Sequence, residues 1–151
     1  MSNWISITIA DLYNSKAAPL IDAANSAVLG AGQTDRVTGI ISDVTLEIRR
    51  KVAKSNQLDV DITKIPGGLK TLAVDLIYCR LKIALEMELS KDEHYTLEQR
   101  QRDLDRIADG KDMVDAPDNP EASGTVMQSA NPIQSSAAPR RASHHSLDGL
   151  V

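Results

Sequence analysis

The residues of this 151-residue chain that could do chemistry are few, and their neighbours do not support it. His144 and His145 stand side by side between Ser143 and Ser146, a grouping with the atoms of a hydrolase or a metal site. A zinc centre needs further Cys or His at ligand spacing, and catalysis needs a rigid packed shell; the flanking stretch is rich in Ser, Ala and Pro instead. His94 lies in the polar run SKDEHY and reads as surface. Cys79 is the only cysteine and sits in the most apolar stretch, where it acts as a small hydrophobe. Pro66-Gly67-Gly68 precedes a helical pattern without GxxxxGKS/T or GxGxxG spacing, so it starts a helix rather than cradling a phosphate. Carboxylates are plentiful, but none is isolated in an apolar setting that would raise its pKa. These residues point away from an enzyme, and no cofactor or metal is expected.

What the chain offers instead is an unusually apolar helix. Residues 66–89, PGGLKTLAVDLIYCRLKIALEMEL, place Leu69, Leu72, Ala73, Leu76, Ile83, Ala84 and Met87 on one stripe. Val74, Ile77, Tyr78, Leu81 and Leu85 widen it most of the way round. Such a helix in so short a chain must be covered on more than one side. The spacing divides it into Leu69, Leu72, Leu76 and Ile83 facing the bundle core, and Val74, Tyr78, Leu81 and Leu85 facing a neighbouring subunit. Arg80 falls within the first stripe. It requires either an internal ion pair with Asp11, Asp43 or Glu47, snorkelling to the rim, or a charge pair across the subunit interface.

The elements around it are short. Thr8 caps a first helix, with Asp11 reaching back from the third position. A second runs from Pro19 through Val28 to a stop at Gly30 and Gly32. From Thr34, Val37, Ile40, Ile41, Val44, Ile48 and Val52 follow the i, i+3, i+4, i+7 rule. Asp43, Glu47, Arg50, Lys51 and Lys54 form the opposite, solvated face, with Glu47 and Lys51 at the favoured i, i+4 spacing. The alternation of Leu58, Val60, Ile62 and Ile65 with charged residues predicts an extended connector over the helices, or a strand pairing with another chain. Thr96 with Gln99 predicts a capping box for a last, charged helix ending at Gly110.

Composition sets the class. Aromatic residues are 3% with no Phe, so the core must be filled by Leu, Ile, Val and Ala, which suits packed helices. The expected fold is all-α, a small bundle of about five helices. A net charge of -4 gives no support to a general nucleic-acid or anionic-membrane binder. The single cysteine suits a reducing compartment, and the absence of a leader pattern or of a long apolar run predicts a cytosolic protein that does not enter a membrane. Composition shifts at Lys111, beyond which four of the six prolines fall. The expected domains are 1–110, a helical unit, and 111–151, an extended tail that orders only on a partner. Arg140 and Arg141, among several acidic tail residues, favour an acidic protein over DNA, and Leu147, Leu150 and Val151 read as apolar anchors.

Taken in order, the TIADL turn, the small second helix, the long amphipathic helix, the connector ending in IPGGLK, LAVDLIYCRL and the charged last helix resemble one family. The chain resembles the head-tail connector (adaptor) proteins of long-tailed bacteriophages, the Mu-like branch included, over residues 7–110. Thr8 to Leu12, and Pro66 with Leu69, Lys70, Ala73, Asp75, Arg80 and Leu81, carry the likeness. The resemblance implies a virion neck protein, assembled in the host cytoplasm as a ring of about twelve copies beneath the portal. It implies a DNA channel crossed without specific binding, and a surface for a stopper or tail-completion protein. It also implies a subunit interface at Val74, Tyr78, Arg80, Leu81 and Leu85. Met127, Ile133, Arg140, Arg141, Leu147, Leu150 and Val151 would then dock on the portal. Two alternatives stand beside it: a helical DNA-binding regulator using Arg49, Arg50, Lys51 and Lys54, and another neck or tail-completion protein.

Overall fold

A computed structural model describes residues 2–26 and 35–122, so Val28, Gly30, Gly32 and the predicted docking residues beyond 122 lie outside the described residues. The order is β1 (Trp4–Ser6), α1 (Ile9–Tyr13), α2 (Ala18–Ser26), α3 (Arg36–Val52), β2 (Lys64–Pro66), a 3-10 turn (Gly67–Leu69), α4 (Lys70–Ala84) and α5 (Lys91–Ala108). The all-α expectation holds, with five α-helices and one small two-stranded sheet among the described residues. α3, α4 and α5 pack on one another, and α2 lies against α3 and α4. Their apolar faces meet in a single core that includes Leu12, Ile21, Val44, Ile48, Leu76 and Leu104.

Local chemistry explains most boundaries. Thr8 and Asp11 form the expected capping box on α1. Asp11 also accepts from the Lys70 ammonium at 2.6 Å, which ties the start of α4 to α1. That ammonium, with Thr8 second, holds the Asp11 carboxyl down at about 2. On α3, Asp35 is the N-cap, and its carboxylate accepts from the Val37 N–H. Glu47 and Lys51 do not serve each other: Glu47 pairs with Arg80 of α4, and Lys51 with Asp105 of α5.

Two helix ends differ from expectation. α4 stops at Ala84 rather than near Leu89, because Glu86 adopts a left-handed backbone with φ of 57°. The Glu86 and Met87 N–H groups then close onto the carbonyls of Ile83 (3.0 Å) and Lys82 (2.9 Å). α5 starts at Ser90, six residues before the expected Thr96, so the run SKDEHY is its first turn and not a loop. Ser90 and Glu93 form the capping box. This earlier signature prevails because Glu93 also reaches Tyr78 and Lys82 on α4, a gain that Gln99 lacks.

The 58–65 connector pairs with its own chain. Residues 59–63 turn, and β2 lies antiparallel to β1 with Trp4 opposite Pro66 and Ser6 opposite Lys64. Gly67 permits this approach. Its N–H donates to Asn3 O at 2.7 Å, and a Cβ there would stand 3.0 Å from that same oxygen.

At the centre of this region Arg49 of α3, 5% exposed, points inward rather than lying on the solvated face. It donates to the backbone carbonyls of Asp59 (2.7 Å), Asp61 (2.9 Å) and Lys64 (2.9 Å). Its guanidinium lies over the Trp4 ring, 5.7 Å from the centroid, and 3.4 Å from the Glu121 carboxylate. Residues 112–121 complete the arrangement as a strap. Asp118 accepts from Ser2 Oγ (2.5 Å) and the N–H groups of Asn3 (2.9 Å) and Trp4 (3.0 Å). The Trp4 indole donates to Asp115 O at 2.9 Å. Asn119 and Glu121 form backbone hydrogen bonds with Val60 and Leu58, and the buried Asp59 carboxylate accepts from the Asn119 N–H at 3.0 Å. The domain therefore extends past the expected boundary at 110. The strap is held mainly by directed hydrogen bonds and ion pairs, with Val114 its one large apolar side chain packed against the core, which is why composition placed it in the tail.

Removing Arg49 leaves three carbonyls, that of Asp59 buried and those of Asp61 and Lys64 partly so, without their donor. Arg49→Ala should lower unfolding stability by about 3 kcal/mol in urea titrations. The Asp118 carboxyl is held at about 2 by Ser2 and the Asn3 and Trp4 N–H groups, against an ordinary 3.8. The unfolded chain takes up a proton first as pH falls, so this stabilisation is present above about pH 4 and is lost between about 4 and 2. Emission from Trp4, the single tryptophan, should shift to the red across that window. Asp118→Asn should weaken that transition and show partly red-shifted emission at neutral pH.

Candidate interaction surface

The polar strip of α4 is used inside the chain. Tyr78 donates its hydroxyl to Glu93 at 2.7 Å, and the Lys82 ammonium reaches the same carboxylate at 2.7 Å. Lys82, then Tyr78 and the Ser90 N–H, hold the Glu93 carboxyl down at about 2, while Glu93 pushes the Tyr78 hydroxyl up. Lys16 stands over the other part of this cluster, 4.5 Å from the Tyr78 ring centroid. Asp75 lies between Lys16 at 3.6 Å and Arg100 at 2.9 Å. With Arg80 paired to Glu47, each polar group of α4 named here joins it to another element.

The stripe assigned to a neighbouring subunit is therefore redistributed. Leu81 is fully buried in its own core and offers no surface, because α4 is covered along that line by its own chain. Val74, Tyr78 and Leu85 are half-buried and pack against the same core. Arg80 takes the internal pair, with Glu47 of the three candidates. Ile83, expected in the core, is 56% exposed, since two residues on from the buried Leu81 it lies on the opposite arc of the last turn of α4. Met127, Ile133, Arg140, Arg141, Leu147, Leu150 and Val151 lie outside the described residues.

Among the described residues, exposed large apolar side chains fall in four places. Ile9 and Tyr13 lie on α1; Ile83, Met87 and Tyr95 surround the α4–α5 turn; Leu46, Val60 and Ile62 lie on α3 and the connector; Met113 lies on the strap. Leu46 and Ile62 border a groove of about 410 Å³, whose other lining residues are Ser6, Ile7, Thr38, Ile41, Ser42, Thr45 and Thr63. Every side chain of that lining is uncharged. Leu46 carried a readable signal, since it breaks the phase of Val44 and Ile48; the groove did not, because it joins β1, α3 and the connector.

Among the described residues, no group of His, Cys, Asp and Glu is arranged to hold a metal, and no helix is long and apolar enough to cross a membrane. Of the four cations a DNA-reading face would use, Arg49 is buried and Lys51 is paired with Asp105. Comparison with protein families, with curated proteins and with solved structures finds no match.

Substitution separates the two roles exchanged on α4. Leu81→Ala should cost about 3 kcal/mol of unfolding stability. Ile83→Ser should stay within about 0.5 kcal/mol, while weakening any self-association seen by sedimentation. The reverse ranking would restore the original division of the helix.

Proposed function

We propose that this protein is a structural connector of a bacteriophage neck. Copies form a ring beneath the portal, extend the DNA channel and offer a surface to a stopper or tail-completion protein. The observation that carries this reading is a closed helical domain with exposed apolar side chains on separate elements, Ile9 and Tyr13 on one and Ile83, Met87 and Tyr95 on the other. A ring is built by heterologous contacts, in which two different patches of one surface meet head to tail. The order of helices is the one on which the resemblance to adaptors rests. A net charge of -4 suits a channel through which phosphates must slide.

The docking element begins later than composition suggested. Residues 112–121 serve the domain, so the portal-binding part starts after Ala122 and contains Met127, Ile133, Arg140, Arg141, Leu147, Leu150 and Val151. A DNA-binding regulator is the weaker reading, since two of its four cations are committed within the fold.

Mass measurement with and without a portal ring tests the assembly, which should enlarge only when the ring is present. A chain ending at Ala122 should stay folded and lose attachment, whereas one ending at Lys111 should also lose stability and expose Trp4. Attachment that survives the shorter deletion would remove the tail's role.

A further inference from the structure

The groove bordered by Leu46 and Ile62 lies within reach of a matching segment of the same chain. Glu121 is fixed by its N–H to Leu58 O at 2.8 Å, so the position from which the chain continues is known. Ile62 is four residues on from Leu58 and hence at most about 14 Å away, while Val126 is five residues on from Glu121 and spans up to about 17 Å. Ile133 follows with length enough to cover the stretch of α3 from Thr38 to Leu46.

Composition agrees with reach. From Ser123 to Pro139 the sequence SGTVMQSANPIQSSAAP contains no Asp, Glu, Lys, Arg or His. It is the longest uncharged run in the chain, and its large apolar side chains are Val126, Met127 and Ile133. The groove has the same character: apolar side chains among hydroxyls, with no charge in its lining. A charged occupant would lose hydration there without gaining a partner, and this one loses none.

We infer that residues 123–139 dock in the groove of their own chain, with Val126, Met127 and Ile133 covering Ile7, Ile41, Leu46 and Ile62. Own-chain docking is favoured over a second copy because the short connection from Glu121 gives the segment a high effective concentration at the groove. Docking also masks the apolar Leu46 and Ile62 edge on the free protein. One consequence rests on the connector reading: Met127 and Ile133 cannot occupy the groove and a portal together, so portal binding uncovers it.

Methyl NMR spectra of the free full-length chain test the docking without any portal, so failure of the connector reading leaves this test intact. The comparison is with a chain carrying Val126→Ser, Met127→Ser and Ile133→Ser, all beyond the described residues. Methyl signals of Ile7, Ile41, Leu46 and Ile62 should shift, equally at high and low protein concentration. In an Ile62→Asp background, altered at an exposed site, the same triple change should move them much less. Unmoved groove methyls overturn the inference, as does a shift confined to Ile83 and Met87. A shift that disappears on dilution also overturns it, because the occupant is then a second copy.

Discussion

The non-helical half of this structure depends on the Arg49 guanidinium. α3 delivers it into the space between β1, the 59–64 turns and the 112–121 strap, and three backbone carbonyls of the connector converge on it. Turns cannot satisfy their own inward carbonyls, so a connector packed against a helix needs a donor there. A guanidinium suits the site because it has several donors in a fixed plane and a flat face for the Trp4 ring. A buried cation is costly alone. The carbonyl dipoles and the Glu121 carboxylate offset that cost locally.

From that point the constraints spread outward. The strap arrives because Trp4, Asp59 and Arg49 all need partners that no helix provides: Asp118 takes the N–H groups of β1, Asn119 serves Asp59, and Glu121 approaches Arg49. The helical half is ordered differently. Its centre is aliphatic, and cross-helix pairs such as Arg80 with Glu47, Lys51 with Asp105 and Lys82 with Glu93 set which faces meet. Solvent screens such pairs, so their effect lies more in register than in stability.

This arrangement bears on function through what it leaves uncommitted. α4, whose apolar surface suggested a neighbour, is largely consumed by its own bundle. The exposed apolar residues lie instead on α1, around the α4–α5 turn, on the connector and strap, and in the groove beside the connector. A connector ring assembled through such edges would keep the bundle core intact in each copy, and the strap would anchor the departing chain close to the groove.

The sequence by itself determined the helical class, the amphipathic α3, the capping box at Thr8 and Asp11, and the burial of Cys79. These follow from spacing within a few turns, which local geometry converts directly into faces and caps. It did not show that Trp4–Ser6 is a strand, since three residues carry no period, nor that Arg49 turns inward, since its partners lie 10 to 72 positions away. Leu81 and Ile83 changed places for the same reason. On a helix apolar nearly all round, spacing cannot say which arc is covered, and only the packing of α3, α5 and α2 decided it. The strap at 112–121 is the clearest case: Pro, Asp and Asn give it a tail's composition, and the tertiary structure made it part of the domain by supplying the β1 end for Asp118, Arg106 for Asp112 and Arg49 for Glu121.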